Sequence, residues 1–389
     1  MIPISYNIRS LAVRKATTLA TALGIALVVF VLSSAMMLSQ GISETLGQAG
    51  RPDNAIVLRK GSDAELSSSI EEPTVGLILA APGVKRDPSG APLGVGEVAV
   101  VITLDKVGTE GGVSNVQVRG VPDQVFKLRP EVQITEGRPA RPGTDEVIIG
   151  RRIVGRFQGM ELGRSFELRK NRPVQVVGVF SANGSAYESE VWGDLNTVRS
   201  CFGREGLVSS VRVRLTGPGQ FEAFEAAVES DKNLGLEAQR ETTYFHNASE
   251  GSSDFVRGLG NVIAFFFSIG AMIGAMITMY ASIASRQREI GTLRALGFGR
   301  LTILGSFLLE AILLAVLGGV LGAAASLLMA LVKFSMVNFA TFSEIVFSFR
   351  PTARILLTAL IFAGVMGLLG GLFPAVRAAR MSPLRAIRG

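Results

Sequence analysis

Four stretches of the chain contain no Asp, Glu, Lys or Arg: residues 16–43, 258–285, 311–332 and 355–376. Each runs for 22–28 residues, and a helix needs about 20 apolar residues to cross the hydrocarbon core of a bilayer. The pattern predicts membrane-spanning helices over 16–43, 258–285, 301–332 and 355–376. Arg9, Arg14 and Lys15 before the first block also fit a cleaved leader. Leader cores are about 7–15 residues, however, so a retained first helix is expected. Ile4, Ile8, Leu11 and Val13 share one side of a helix, which predicts an amphipathic segment over 1–15.

Residues 44–257 alternate differently. Strands are expected over Asn54–Lys60 and Glu97–Asp105, with a mostly helical Glu65–Ala80 between them in which Pro73 must start a turn or a kink. Short β-rich runs follow around Val113–Val118, Glu146–Ile149, Arg164–Lys170 and Val174–Phe180, a spacing that suggests a small sandwich or barrel. Val211, Val213 and Leu215 then alternate with Arg212 and Arg214, giving a strand whose arginines are expected on a solvated face, with anion binding as the alternative. Phe221, Phe224 and Val228 recur at helical spacing, and a weak strand follows near Leu236–Arg240. Two βαβ stretches, about 52–110 and 205–245, thus flank a β-rich part at about 111–204. The fold class is a four-helix membrane protein carrying an α+β domain over 44–257.

The charge balance, 39 Lys plus Arg against 32 Asp plus Glu, changes meaning once it is mapped. The segments before the first block, between the second and third (286–300) and after the fourth (377–389) hold 11 basic residues and one acid, Glu289. That is the signature of cytoplasmic loops, not of a nucleic-acid surface, which needs its basic stripe on a folded domain. Both termini and 286–300 are therefore expected inside, with 44–257 and the short loop 333–354 outside. Hydrophobic residues make up 48% of the chain and its mean hydropathy is +0.39, values too apolar for an ordinary water-soluble enzyme.

Little remains for catalysis. One cysteine, Cys201, excludes an internal disulfide and cysteine-based metal sites, and one histidine, His246, leaves little for zinc. Ser252, Ser253, Asp254 and His246 lie close in sequence but without a strained nucleophile turn. Trp192, Tyr187 and Cys201 are expected to be buried packing residues. No Gly-Lys dipeptide occurs, so a phosphate loop of the G-x-x-x-x-G-K-[ST] kind is absent. No cofactor or metal is expected on these residues, and any ATP-driven work needs a motor on another chain.

Three features invite a role. Glu310 is the acid within the membrane blocks. A charge there is costly, so it is expected either as a contact or switch residue or as a structural hydrogen-bonding group. Gly270 with Gly274, Gly318 with Gly322, and Gly367 with Gly371 are small-residue pairs at helix-packing spacing. Residues 286–300 form a short amphipathic helix, with Ile290, Leu293 and Leu296 to one side and a stop at Gly297 and Gly299. Two readings of that stripe stand open, a knob for a partner protein and a helix lying on lipid headgroups.

Arg288-Glu289-Ile290-Gly291 followed by Arg294-Ala295-Leu296-Gly297 resembles the signature loop of the FtsX/MacB/LolC-LolE superfamily of ABC-transporter permeases. Glu146-Val147-Ile148-Ile149-Gly150, Val176–Phe180 and the closing Pro374-Ala375, Ala378-Ala379-Arg380 and Ser382-Pro383 strengthen the likeness. Members often end in Pro-x-Glu-Ala-Leu-Arg, whereas residues 383–388 read Pro-Leu-Arg-Ala-Ile-Arg. The resemblance implies an extracytoplasmic domain of the MacB periplasmic-core type and a place in a bacterial inner membrane. It implies pairing with a second permease chain, like or related, and two ATP-binding subunits that carry ATP and Mg. Arg286, Arg288, Glu289, Ile290, Gly291, Leu293, Arg294, Leu296 and Gly297 become candidates for coupling to those subunits. A membrane-fusion adaptor, an outer-membrane channel and membrane lipids are further implied partners. Implied activities are efflux of drugs or peptides, extraction of lipids or lipoproteins, and regulation of cell-wall hydrolases. A membrane-anchored sensor or adhesion protein without an ATPase is the alternative from another class.

Overall fold

A computed structural model of the chain describes residues 13, 15–109 and 111–381. Apart from Val13 and Lys15, the expected amphipathic segment 1–15 lies outside the described residues, as does the tail from 382 onward. The helices are α1 (Lys15–Gly47), α2 (Glu72–Leu79), α3 (Val125–Leu128), α4 (Leu195–Phe202), α5 (Phe221–Glu229), α6 (Glu241–Ser285), α7 (Gln287–Ala295), α8 (Arg300–Leu327) and α9 (Ala353–Arg380). The chain divides into two units: a membrane unit of residues up to 40, 254–332 and from 348, and an α/β unit of 41–253 and 333–347.

Four helices of the membrane unit, α1, α6, α8 and α9, are long and apolar enough to cross a bilayer. Their packing is set by glycine. A Cβ on Gly318 would lie 2.6 Å from the Ala22 carbonyl oxygen, and one on Gly322 would lie 2.3 Å from that of Ala26, so α8 sits directly on the backbone of α1. Gly367 and Gly371 press α9 onto Ala315 and Ala311 of α8 in the same way. With no hydrophobic drive between helices in lipid, such close approach supplies the attraction. Gly270 and Gly274 on α6 meet nothing within 4 Å. They line an open groove of about 430 Å³ with Gly24, Leu27, Phe266 and Phe267.

The strands are β1 (Asn54–Arg59), β2 (Ile70–Glu71), β3 (Gly94–Asp105), β4 (Val113–Val121), β5 (Gln133–Gly137), β6 (Glu146–Gly150), β7 (Ser165–Arg169), β8 (Arg172–Ser181), β9 (Glu190–Asp194), β10 (Leu207–Val208), β11 (Ser210–Arg214), β12 (Leu236–Arg240), β13 (Lys333–Val337) and β14 (Glu344–Ser348). The expected separate sandwich or barrel gives way to a single ten-stranded sheet of order β12-β1-β11-β3-β4-β9-β6-β8-β5, with β7 on β8. The reason lies in β3. Its residues 94–97 pair with β11 and 98–105 with β4, so one long strand serves both lobes. β1-α2-β3 and β11-α5-β12 interleave, with β1 and β11 antiparallel neighbours. Pro73 begins α2 instead of kinking a longer helix, and the helix covers only Glu72–Leu79.

Each lobe has its own core. Val57, Val211 and Val213 of the sheet meet Ile78 of α2 and Phe224 and Val228 of α5. Val98, Val116, Val147, Val176 and Val191 pack with Val198 and Cys201 of α4. Segment 333–347, expected as a plain loop, is a hairpin fixed to the α/β unit. Glu344 accepts from Lys106 and Arg156 at 2.6 Å each, and Val346 donates its N–H to Ser189 Oγ at 3.1 Å. Burial pushes the Glu344 carboxyl up, but hydrogen bonds from Lys106, Ser114 and Ser335 overcome this and hold it at about 2.

Candidate coupling site and buried charge cluster

α7 begins two residues after α6 ends. Its stop is set by Gly297, whose φ of +95° lies in the left-handed region. Gly297 N–H donates to Arg294 O at 3.2 Å and Phe298 N–H to Leu293 O at 3.2 Å, closing off the last carbonyls of the helix. The expected stripe divides. Ile290 and Gly291 are buried, with Ile290 packed among Met279, Ile283, Ile303, Phe307, Ala375 and Ala378 of the membrane unit. Leu293 packs partly against that cluster. Leu296 is 72% exposed, and Arg288, Glu289 and Thr292 are exposed beside it. The helix therefore spends its first apolar turn on its own spans and offers the rest outward.

Glu310 and Arg286 explain each other. Both are buried, and Arg286 Nη1 donates to Glu310 Oε2 at 3.1 Å while its Nε donates to Glu289 Oε2 at 3.1 Å. The guanidinium also lies 5.6 Å from the centre of the Phe307 ring. A carboxylate on α8 is thus tied to the residue that joins α6 to α7. The arrangement is available only because Arg286 precedes α7 while Glu310 faces inward. Arg294 donates to Phe298 O at 3.3 Å, bracing the turn.

The α/β unit holds a second charged assembly that the sequence reading missed. Arg119, on β4, spends all five donors of its guanidinium. Glu190 takes Nε and Nη2 at 2.8 Å each, Glu65 takes Nη1 at 2.9 Å and Nη2 at 3.1 Å, and Glu97 takes Nη1 at 2.9 Å. Arg129 donates to Glu97 from Nη1 at 2.6 Å and Nη2 at 3.1 Å, under the ring of Tyr187. Arg212 pairs with Glu241 at 2.5 Å and Glu65 at 3.1 Å. Trp192 Nε1 adds a bond to Glu190 at 2.7 Å. The expectation of a solvated arginine face on β11 is corrected: Arg212 is wholly buried and Arg214 nearly so. The face opposite the α2–α5 core is covered by Tyr244, Phe245 and Tyr187, whose rings contact the guanidinium groups of Arg212 and Arg129.

Burial raises the carboxyls of Glu65 and Glu97, but the neighbouring arginines more than reverse this, so both are held below the usual range. Burial pushes the Tyr187 and Tyr244 hydroxyls up, keeping them neutral. Glu241 is the first residue of α6. Besides Arg212 it accepts from Asn54 Nδ2 at 2.8 Å and Arg51 N–H at 3.1 Å. The root of the helix that later enters the membrane unit is thereby locked to β1 and β11.

A catalytic role for the Ser252 region has no support in the geometry. Ser252 bonds Asn338 of the hairpin, and His246 is exposed beside Glu250. No cluster of three or more metal-ligating side chains occurs among the described residues. Tyr187, Trp192 and Cys201 are buried packing residues.

Comparison with known proteins places this architecture. Residues 16–231 match the model of the MacB-like periplasmic core domain, and 261–383 match the FtsX-like permease C-terminal model. The ABC transporter permease YvrN of Bacillus subtilis is 29% identical over 425 residues, a match covering 99% of this chain and 98% of that protein. The macrolide export ATP-binding/permease protein MacB of Escherichia coli K12 is 31% identical over 228 residues, covering 56% of this chain and 34% of MacB. The matched part thus spans about a third of the macrolide-export relatives, including one from Yersinia pestis at 32%. Among solved structures, the extracellular domain of YknZ from Gram-positive bacteria aligns with TM-score 0.37 and 16% identity, covering 48% of this chain and 99% of that one. Four apolar helices, a MacB-type α/β domain and matches over most of its length establish that the chain belongs to the FtsX/MacB-type family of ABC transporter permeases.

Proposed function

We propose that the chain is the transmembrane subunit of a mechanically coupled ABC transporter, non-catalytic in itself, that turns ATP hydrolysis on a separate subunit into movement of the α/β unit. The observation that carries this reading is α6. It is one unbroken helix of 45 residues, about 67 Å long at 1.5 Å per residue. It is rooted at Glu241 in the buried charge cluster and ends at Ser285, beside the Arg286–Glu310 pair. Its two ends are thus tied to the two parts the mechanism must connect, the α/β sheet and the coupling helix.

In this mechanism the ATP-binding subunit engages the exposed face of α7, with Arg288, Thr292 and Leu296 as the contact residues. Residues 286–300 and 377–389 lie on the cytoplasmic side, as their basic character requires. ATP and Mg act on the partner. Two permease chains assemble with two ATP-binding subunits, and the open groove at Gly270 and Gly274 supports a second copy seating against α6. The work performed is efflux or extraction of a substrate from the membrane or the space beyond it.

The test is affinity purification of the full chain in mild detergent, followed by ATPase assay of whatever ATP-binding subunit co-elutes. Arg288→Glu is expected to leave the protein inserted and to abolish stimulation of the ATPase. Absence of any ATP-binding subunit from wild-type preparations, or unchanged coupling in the variant, refutes the reading.

A further inference from the structure

Beyond the coupling role, we propose that the chain carries a binding site for the phosphate headgroup of an anionic phospholipid in the cytoplasmic leaflet, built where α6 and α9 end. A partly open cavity of about 830 Å³ is lined there by Tyr280, Ala284, Gln287, Arg377, Arg380 and Met381. Arg377 and Arg380 are exposed, one helical turn apart on α9. The Arg377 guanidinium lies 5.5 Å from the centre of the Tyr280 ring.

The argument rests on unmatched charge. Neither arginine meets a carboxylate among the described residues. The sequence offers none on that side either: Glu289 is the sole acid of the three basic segments, and it is engaged by Arg286. The buried Glu310 also faces Arg286. A concave site with two uncompensated guanidinium groups, an amide and a phenol calls for an anion from outside the chain. Its apolar side, Ala284 and Met381 at the ends of membrane-spanning helices, calls for that anion to carry hydrocarbon. A free phosphate would use the arginines and leave this side idle, whereas a phosphatidylglycerol or similar lipid uses both. Basic residues near an inner leaflet gain from its negative charge in the same way.

The site rests on the reading that residues 377–380 emerge at the cytoplasmic face. Labelling of an Arg380→Cys variant from either side of sealed vesicles checks that orientation separately from lipid binding. The binding test is native mass spectrometry of the full chain in neutral detergent, titrated with phosphatidylglycerol or phosphatidylcholine. Phosphatidylglycerol is expected to be retained selectively. The double variant Arg377→Gln/Arg380→Gln should lose about 30-fold in retention, the product of two basic-residue contributions at an anionic surface. Arg380→Lys should retain most of it, and Arg354→Gln, at the opposite end of α9, all of it. Equal retention of both lipids, or an unaffected double variant, overturns the proposal. So does displacement of the lipid by excess inorganic phosphate, which would assign the site to a free anion. Cross-linking of Arg380→Cys to the ATP-binding subunit with loss of lipid would assign the cavity to that partner and equally overturn it.

Discussion

Arg119 in the α/β unit and Arg286 in the membrane unit are both buried, yet they are held in opposite styles. Arg119 meets three glutamates from three separate segments, and those glutamates also bind Arg129, Arg212, Ser210 and Trp192. Among its ion pairs to described residues, Arg286 is divided between Glu289, exposed in the first turn of the helix it precedes, and buried Glu310 on a different span. The first arrangement is over-determined: no group can move without stranding several others in a low-dielectric interior. The second can shift its weight from one carboxylate to the other. A joint meant to hold should look like the cluster, and a joint meant to transmit a change of state should look like the divided pair.

The largest effect is expected where the cluster is cut. Arg119→Met leaves Glu65, Glu97 and Glu190 buried without their shared cation. Breaking one side of a buried ion pair typically costs about 3–5 kcal/mol; Glu190 loses its cation outright, while Glu65 and Glu97 keep only Arg212 and Arg129. The α/β unit should fail to fold stably, read as loss of the main thermal transition of the detergent-solubilised full chain. A variant that melts within a few degrees of wild type would show that the cluster is not a lock.

Next comes the membrane unit. Gly322→Leu would drive a side chain into the Ala26 carbonyl, 2.3 Å from where its Cβ must sit, forcing α8 off α1. Overpacking of this kind costs about 1–3 kcal/mol or more. Gly274→Leu, facing open space, should leave the monomer's melting point unchanged and act only on association of two copies, checked by cross-linking. Glu310→Gln should be milder than Arg119→Met, about 1–2 kcal/mol, the upper range for polar contacts between membrane helices. Its clearer signature should be ATPase activity that no longer responds to the permease.

Acid sharpens the same contrast. Glu65, Glu97 and Glu344 have folded-state values below the ordinary carboxylate range, with Glu344 at about 2. Their contribution is therefore complete above the unfolded value of about 4.3 and is lost as pH falls from there toward 2. The α/β unit should stay folded at pH 5 and lose stability steeply below pH 4, followed by circular dichroism. Stability that is flat across this window would contradict the cluster's role.

The sequence made some of this visible and hid the rest for physical reasons. Uncharged blocks mark spans because lipid tolerates no alternative, and Phe221, Phe224 and Val228 mark a helix because one face meets a core. Arg212 and Arg214 between valines read as a wet strand face, since alternation states which residues share a face but not what covers the other one. The cover comes from Tyr244 and Phe245 on a helix that begins at residue 241, and the partners of Arg119 lie 22 to 71 residues away. The available signal was the repetition of single charges inside strand-like apolar runs, at Glu97, Arg119, Glu190 and Arg212. Ile290, Leu293 and Leu296 likewise read as one stripe, because periodicity cannot tell a turn buried against its own chain from a turn offered to another.

That last ambiguity sets up the smallest effect on stability and the most specific effect on function. Ile290 lies in α7 and Leu296 caps its C-terminal end, the first buried and the second 72% exposed. Ile290→Asp places a charge among Met279, Ile303 and Phe307 and should destabilise the end of the bundle that α7 packs on. Any loss of coupling there is uninformative, since a disordered α7 cannot dock. Leu296→Asp touches no such cluster and should move stability by no more than about 0.5 kcal/mol, as surface substitutions usually do. If the exposed end of α7 is where an ATP-binding subunit grips, this variant should nevertheless lose co-purification of that subunit while melting like wild type. Retention of the subunit at wild-type level would move the docking surface away from α7, because no residue of the helix offers a larger exposed apolar side chain.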